Sequence, residues 1–221
     1  MIAFHVGNVT SQISIKKIVL KYGTNALTYA DEYVHINKKR IAEIAQIAET
    51  LYARNIEAVL VTSGAVAAGM ELNRLLERPD DDNAIGNLAA EGQIYLMASY
   101  QEALMQYNIG ACQLLVSAAD ISRRGELIKR RIKDSFEERK LTIINANDAL
   151  AAKFVDNDYL AARIAVLCNA DYLIMVSEPG NLGSGGGIAK QKALKLAEKH
   201  GIKAAVMTHT ELEELIQNGN N

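Results

Sequence analysis

Six short apolar runs punctuate the chain: Ile18-Val19-Leu20, Ala58-Val59-Leu60-Val61, Leu114-Leu115-Val116, Ile143-Ile144, Leu173-Ile174-Met175-Val176 and Ala204-Ala205-Val206-Met207. Continuous apolar runs of this length predict strands covered on both faces, because a half-exposed strand would alternate with polar positions. Between the runs, apolar residues recur at helical spacing. The clearest such stretch runs from Lys38 to Ala53, with Ile41, Ile44, Ala48 and Leu51 on one face and Arg40, Glu43 and Glu49 turned outward. Parallel neighbours in a sheet need long crossovers, and a helix is the compact way to make one. Strand and helix in alternation therefore predict an α/β fold with a largely parallel sheet and helices on both faces. Residues 1–15 read as an extension, 16–216 as a single domain, and 217–221 as a polar tail that frays.

Composition narrows the function classes. Of 221 residues, 49% are hydrophobic and 23% charged, which excludes disordered and collagen-like classes. The formal charge of -2 gives no broad field for nucleic acid or an anionic membrane, so neither is an expected partner. No apolar run approaches the roughly 18 residues of a bilayer span, and the first residues lack a basic patch followed by an apolar core, so the cytoplasm is the expected address. Cys112 and Cys168 stand apart, outside any CxxC pair, and read as buried thiols. The four histidines lack metal-ligand spacing, and no protein metal site is expected. The basic stretch Lys129-Arg130-Arg131-Ile132-Lys133 reads as a solvated helix face.

In open parallel sheets, ligands bind beyond the C-terminal ends of the strands. Polar and glycine residues stand there: Lys21-Tyr22-Gly23-Thr24, Thr62-Ser63-Gly64-Ala65 and Asn145-Ala146-Asn147-Asp148 each follow an apolar run. Asp156-Asn157-Asp158 opens a further helix, and Gly183-Ser184-Gly185-Gly186-Gly187 precedes another that carries Lys190 in its first turn. Glycines let backbone N–H groups approach an anion, a helix start supplies unpaired donors, and a lysine adds a full charge. That layout suits a phosphate. Each feature also has a purely structural reading: a solvated lysine at a sheet edge, a flexible glycine linker, an aspartate that satisfies a turn or caps a helix, and a Ser63-Gly64 cap. No G-x-x-x-x-G-K, G-x-G-x-x-G or H-R-D motif is present, which removes the main support for P-loop, Rossmann and protein-kinase sites.

Lys21-Tyr22-Gly23-Thr24 and the run from Val61 through Thr62-Ser63-Gly64-Ala65 to Gly69 resemble blocks of the glutamate 5-kinases of the amino acid kinase family. Ala89-Ala90-Glu91-Gly92-Gln93 is similar to the family's A-A-x-G-Q, Ile144-Asn145-Ala146-Asn147-Asp148 to its I-N-E-N-D, and Asp156-Asn157-Asp158 to its D-N-D. Gly183-Ser184-Gly185-Gly186-Gly187-Ile188-Ala189-Lys190 resembles its G-T-G-G-M-x-T-K. The resemblance implies a three-layer αβα sandwich that moves the γ-phosphoryl of ATP, with Mg²⁺, to the side-chain carboxylate of L-glutamate, at the head of proline synthesis. It implies Lys21 and Lys190 as phosphate-gripping lysines, organised by Asp158. It implies Ser63, Gly64, Asp148 and Asn157 at the glutamate, with Asn145 in support. Gly23, Ser177, Glu178, Ser184, Gly185, Gly186 and Gly187 fall at its nucleotide contacts. The chemistry suits these residue types: a carboxylate with a pKa near 4.3 is already ionised, so the obstacle is repulsion between anions and not proton removal.

The departures fall on the nucleotide side. Only Pro179, Gly180, Asn181 and Leu182 separate Ser177-Glu178 from Gly183, where the family has a long segment, and Met207 is not followed by the family's closing strands. Glu178, Ala146, Gly187 and Ala189 replace the family's aspartate, glutamate, methionine and threonine, and its C-terminal RNA-binding-like domain is not expected in this chain. Two functions follow as expectations: an abbreviated active kinase, or a non-catalytic relative that binds or regulates. The helical stretch 88–107 and the family analogy point to a homo-oligomer.

Overall fold

The computed structural model describes residues 15–150, 156–178 and 187–218. Strand β1 (Lys17–Tyr22) leads through the one-turn helix α1 (Thr24–Leu27) into a hairpin of β2 (Thr28–Ala30) and β3 (Val34–Ile36). There follow α2 (Lys38–Ala53), β4 (Glu57–Thr62), α3 (Ala65–Leu72), α4 (Asp82–Met105), β5 (Gly110–Val116), α5 (Ala118–Glu137) and β6 (Lys140–Ala146). A 3-10 turn (Asp148–Leu150), α6 (Asn157–Cys168), β7 (Tyr172–Val176), α7 (Gly187–Lys199), β8 (Lys203–Met207) and α8 (His209–Asn218) complete the order. Six strands form one sheet, β5-β6-β4-β1-β7-β8, and every neighbouring pair is parallel. Each of the six apolar runs lies in one of these strands, and α2 has the bounds that its periodicity predicts.

The strand period of two sorts the side chains into two cores. Ile18, Leu20 and Tyr22 of β1 point to the layer of α2, α4 and α8, where Ile41, Ile44, Leu96, Tyr100, Leu212 and Ile216 are buried. Val19 points to the other layer, with Ile128 and Ile132 of α5, Leu160 and Ile164 of α6, and Ala193 and Ala197 of α7. Helices thus cover both faces. The expectation that all six strands are covered on both faces fails at the edges: Val116 is the sole buried residue of β5, and β8 has none. An edge strand has one neighbour, and the flanking helices cover it only in part. Cys112, on β5, is accordingly half-buried, while Cys168 is buried as expected.

Two contacts lock the elements that carry the site. A Cβ at Gly69 would lie 2.1 Å from the Leu88 carbonyl oxygen, and one at Gly92 would lie 1.9 Å from that of Ala65. Helices α3 and α4 therefore pack backbone to backbone, which only glycine permits. At the other end of the sheet, the Asp171 carboxylate accepts from the backbone N–H groups of Lys16 and Lys17 at 2.7 and 2.9 Å, tying the start of β1 to that of β7. Helix α8 runs through Asn218, into the segment that reads as a polar tail. No helix among the described residues is long and apolar enough to cross a membrane.

Candidate active site

Lys21 shares the Val19 face of β1, the face on which α6 packs. Helix α6 begins at this level because Asp156 caps it, its carboxylate accepting from the Asp158 N–H at 2.8 Å. Asp158, in the first turn, meets Lys21: Nζ stands 2.5 Å from Oδ1, and both side chains are 7% exposed. The second carboxylate oxygen faces Lys190 from the first turn of α7, at 3.6 Å. One buried carboxylate thus joins an early and a late lysine, and the trio keeps a net positive charge for an anion in front of it. Gly23 keeps the approach open, since a Cβ there would stand 3.0 Å from Lys21 Nζ.

The far side of the site is built on a turn and a chain of amides. Gly64 has φ +102°, a left-handed backbone that favours glycine, and it lets the chain turn from β4 into α3 immediately after Ser63. Asn157 Nδ2 donates to Ser63 Oγ at 3.0 Å and to Asn145 Oδ1 at 3.3 Å. Asn145, 1% exposed, donates in turn to Gln93 Oε1 at 2.9 Å. Asn145 therefore sits behind the site and orients Asn157. Asp148 opens the 3-10 turn after β6. Burial pushes its carboxyl above the ordinary carboxylate range, and the positive charge of Arg78 acts in the opposite sense. Its Oδ1, and Oδ1 of Asn157, are buried without a hydrogen-bond partner among the described residues.

An open cleft of about 860 Å³ runs between these two sides. Of the residues singled out in the sequence, it gathers Lys21, Gly23, Ser63, Gly64, Asp148, Asn157, Ser177, Glu178 and Lys190. Asp158 lies beneath the lysines. Gly187 is the first residue of α7, with open space where a side chain would stand. Ser184, Gly185 and Gly186 lie outside the described residues.

Two features carry no sequence signal of their role. Arg40 and Glu43, expected to face solvent, instead lie between α2, α8 and the end of β7. Arg40 pairs with Glu43 at 3.1 Å and with Glu178 at 3.6 Å. Glu43 and Glu213 both approach His209 Nε2, at 3.2 and 3.3 Å, while His209 Nδ1 accepts from the Tyr22 hydroxyl at 2.9 Å. Burial and the Arg40 charge hold the His209 ring down at about 4, against Glu43. The helical period turned Arg40 and Glu43 outward, and their partner α8 is remote in sequence. The second feature is Arg78, an exposed loop residue with no motif around it that nonetheless lines the cleft.

Residues 16–181 match the model of the amino acid kinase family. A glutamate 5-kinase of Thermus thermophilus is 34% identical over 212 residues, which cover 94% of this chain and 56% of that protein. The chain thus spans little more than half the length of this relative. The glutamate 5-kinase of Clavibacter sepedonicus is 31% identical, with 92% of this chain and 91% of that protein covered. Among solved structures, the carbamate kinase from Giardia lamblia bound to AMP-PNP superposes with a TM-score of 0.64 at 15% identity, covering 93% of this chain and 96% of that one. The UMP kinase from Bacillus anthracis gives 0.58 at 16% identity, covering 92% and 93%. These last two share the fold of a parallel sheet between helical layers. With the match running from β1 past the end of β7, and taking in Lys21, Asp158 and the amide side of the cleft, the chain belongs to the amino acid kinase family.

Proposed function

We propose that the protein transfers the γ-phosphoryl group of ATP to the side-chain carboxylate of L-glutamate, forming glutamyl 5-phosphate and ADP, the entry reaction of proline synthesis. One observation carries the reading: Lys21 and Lys190 meet at the Asp158 carboxylate on the wall of the cleft that also holds Ser63, Asp148 and Asn157. The named relatives support the same reaction. A carboxylate oxygen of glutamate attacks the γ-phosphorus while the bond to the β,γ-bridging oxygen breaks, and no proton has to move. The protein's task is to bring two anions together. Lys21 and Lys190 lower that repulsion by neutralising phosphate oxygens, and Asp158 holds both ammonium groups at one level. Asp148 pairs with the substrate ammonium, the Ser63 hydroxyl donates to a carboxylate oxygen, and Asn157, whose amide NH2 is held by Ser63 and Asn145, offers Oδ1 to the ammonium.

The cleft suits a nucleotide in volume, and Lys21 and Lys190 supply cations for its phosphates. Mg²⁺ bound to the phosphate oxygens would supply further neutralisation of the transferring group, with Glu178 and Asp156 among the carboxylates that line the cleft. Assembly into a homo-oligomer through α4, whose Ile94 and Met105 are exposed, belongs to the same proposal. The test is incubation of purified protein with Mg-ATP and L-glutamate in the presence of hydroxylamine, which traps acyl phosphate as hydroxamate. Product above a Lys21→Ala control supports the kinase. Glutamate binding without hydroxamate would mark a binding or regulatory relative instead.

A further inference from the structure

The acceptor end of the cleft carries one charge that no motif assigns. Arg78, in the loop between α3 and α4, lines the cleft together with Ser63, Asp148 and Asn157. Its charge is felt by the Asp148 carboxylate. In the same cleft, the Oδ1 atoms of Asp148 and Asn157 are buried and receive no hydrogen bond from the described residues. Two buried acceptors without donors call for N–H groups from a ligand. A guanidinium lining the same cleft has several N–H donors, and its planar fork matches a carboxylate. The chemical complement of that set is a zwitterion, with an ammonium and a carboxylate on neighbouring atoms.

We propose that Arg78 is a specificity-determining residue that binds the α-carboxylate of an α-amino acid acceptor while Asp148 holds its α-ammonium. This rests on the acceptor reading above and adds to it the group that distinguishes an α-amino acid from a simple amine or diacid. With the α-carbon fixed between Asp148 and Arg78, the side chain extends toward Ser63 and the lysine pair. An acceptor lacking the α-carboxylate offers Arg78 no matching anion, and one lacking the ammonium offers the Asp148 carboxylate no donor. Arg78 is exposed to solvent, which weakens a point-charge contact. Its contribution is therefore directional, and a lysine replaces it only in part.

The test is titration calorimetry on the full chain without nucleotide, using L-glutamate, 4-aminobutyrate (glutamate without its α-carboxylate) and glutarate (glutamate without its ammonium). Wild-type protein is expected to bind glutamate about tenfold or more tighter than either analogue. Arg78→Leu should weaken glutamate by about tenfold and leave 4-aminobutyrate unchanged, with Arg78→Lys in between. Asp148→Asn should weaken glutamate and 4-aminobutyrate and spare glutarate. Thermal melts of each variant check the fold, and the ratio between ligands remains informative if a variant is less stable. Equal losses for glutamate and 4-aminobutyrate in Arg78→Leu, or no loss for either, overturn the proposal. Selective binding without hydroxamate overturns the kinase reading and leaves Arg78 in place. Hydroxamate formation unaffected by Arg78→Leu does the reverse, and no glutamate binding by the wild type overturns both.

Discussion

The two sides of the cleft are held in place by different physics. On the acceptor side, Ser63 follows a strand with no exposed residue, and the next helix is pinned against α4 by backbone contacts at Gly69 and Gly92. A buried chain of amides from Gln93 through Asn145 to Asn157 then fixes the polar groups that face the ligand. On the phosphate side, Lys190 rides on a helix that buries only Ala193 and Ala197 and packs beside an edge strand with no buried residue. Its position depends on one carboxylate, Asp158. A phosphate chain is a large, diffuse charge that long ammonium side chains can follow, whereas discrimination among small acceptors needs dipoles fixed to within a fraction of an ångström. The stiff side suits selection and the charged side suits neutralisation.

The largest effect should come from removing the carboxylate that defines the phosphate side. Asp158→Ala leaves Lys21 buried without its counter-charge, and loss of one partner of a buried pair costs about 3–5 kcal/mol. Urea denaturation should read that loss, and hydroxamate formation should fall to background in the folded fraction. Asp158→Asn should keep more stability and still lose activity, which separates the two roles.

Next in size is a pH effect behind the same side. The ring of His209 has a folded-state pKa of about 4, below the ordinary value of 6.5. As pH falls, the unfolded chain takes up this proton first, so the stability is fully present above about pH 6.5 and is lost as pH falls through 4. The histidine contributes up to about 3 kcal/mol to that slope. His209→Gln should flatten the dependence of unfolding free energy on pH in this window, as measured by denaturant titrations. An unchanged slope would contradict the neutral ring between Tyr22 and the two glutamates.

A smaller effect should appear on the stiff side. Gly92→Ala forces α3 and α4 apart, an overpacking that costs about 1–3 kcal/mol. It should raise the KM for glutamate through displacement of Ser63 while leaving nucleotide affinity within about twofold of the wild type. Equal shifts in both constants would show that the two sides are not mechanically separate.

How far the sequence discloses this arrangement depends on the range of each interaction. The strands, α2 and the start of α6 were legible because their signals are local: apolar runs, a 3.6-residue period and a capping aspartate at Asp156. Lys21 was legible at the end of a strand, Ser63 and Asp148 just after strands, and Asn157 and Lys190 at helix starts, and the family blocks singled them out. The half-exposed β5 and β8 were not legible, because strand order in the sheet is a long-range property and an edge strand can read as apolar as a central one. The inward turn of Arg40 and Glu43 was hidden for the same reason: α8 and Glu178 bury them, and both stand far along the chain. Arg78 carried no signal at all beyond its charge, since an exposed arginine in a polar loop is the ordinary case.

The central claim is that Lys21 and Lys190 act on one phosphate chain, and a double-mutant cycle tests it most directly. Affinity for a non-hydrolysable ATP analogue is measured by calorimetry, with Mg²⁺, in the wild type, Lys21→Ala, Lys190→Ala and the double variant. The structure predicts that each single change weakens binding by about tenfold or more, and that the double change falls short of the product of the two, because groups sharing a network do not add independently. Losses that multiply without coupling, or a loss confined to one of the two lysines, would contradict it.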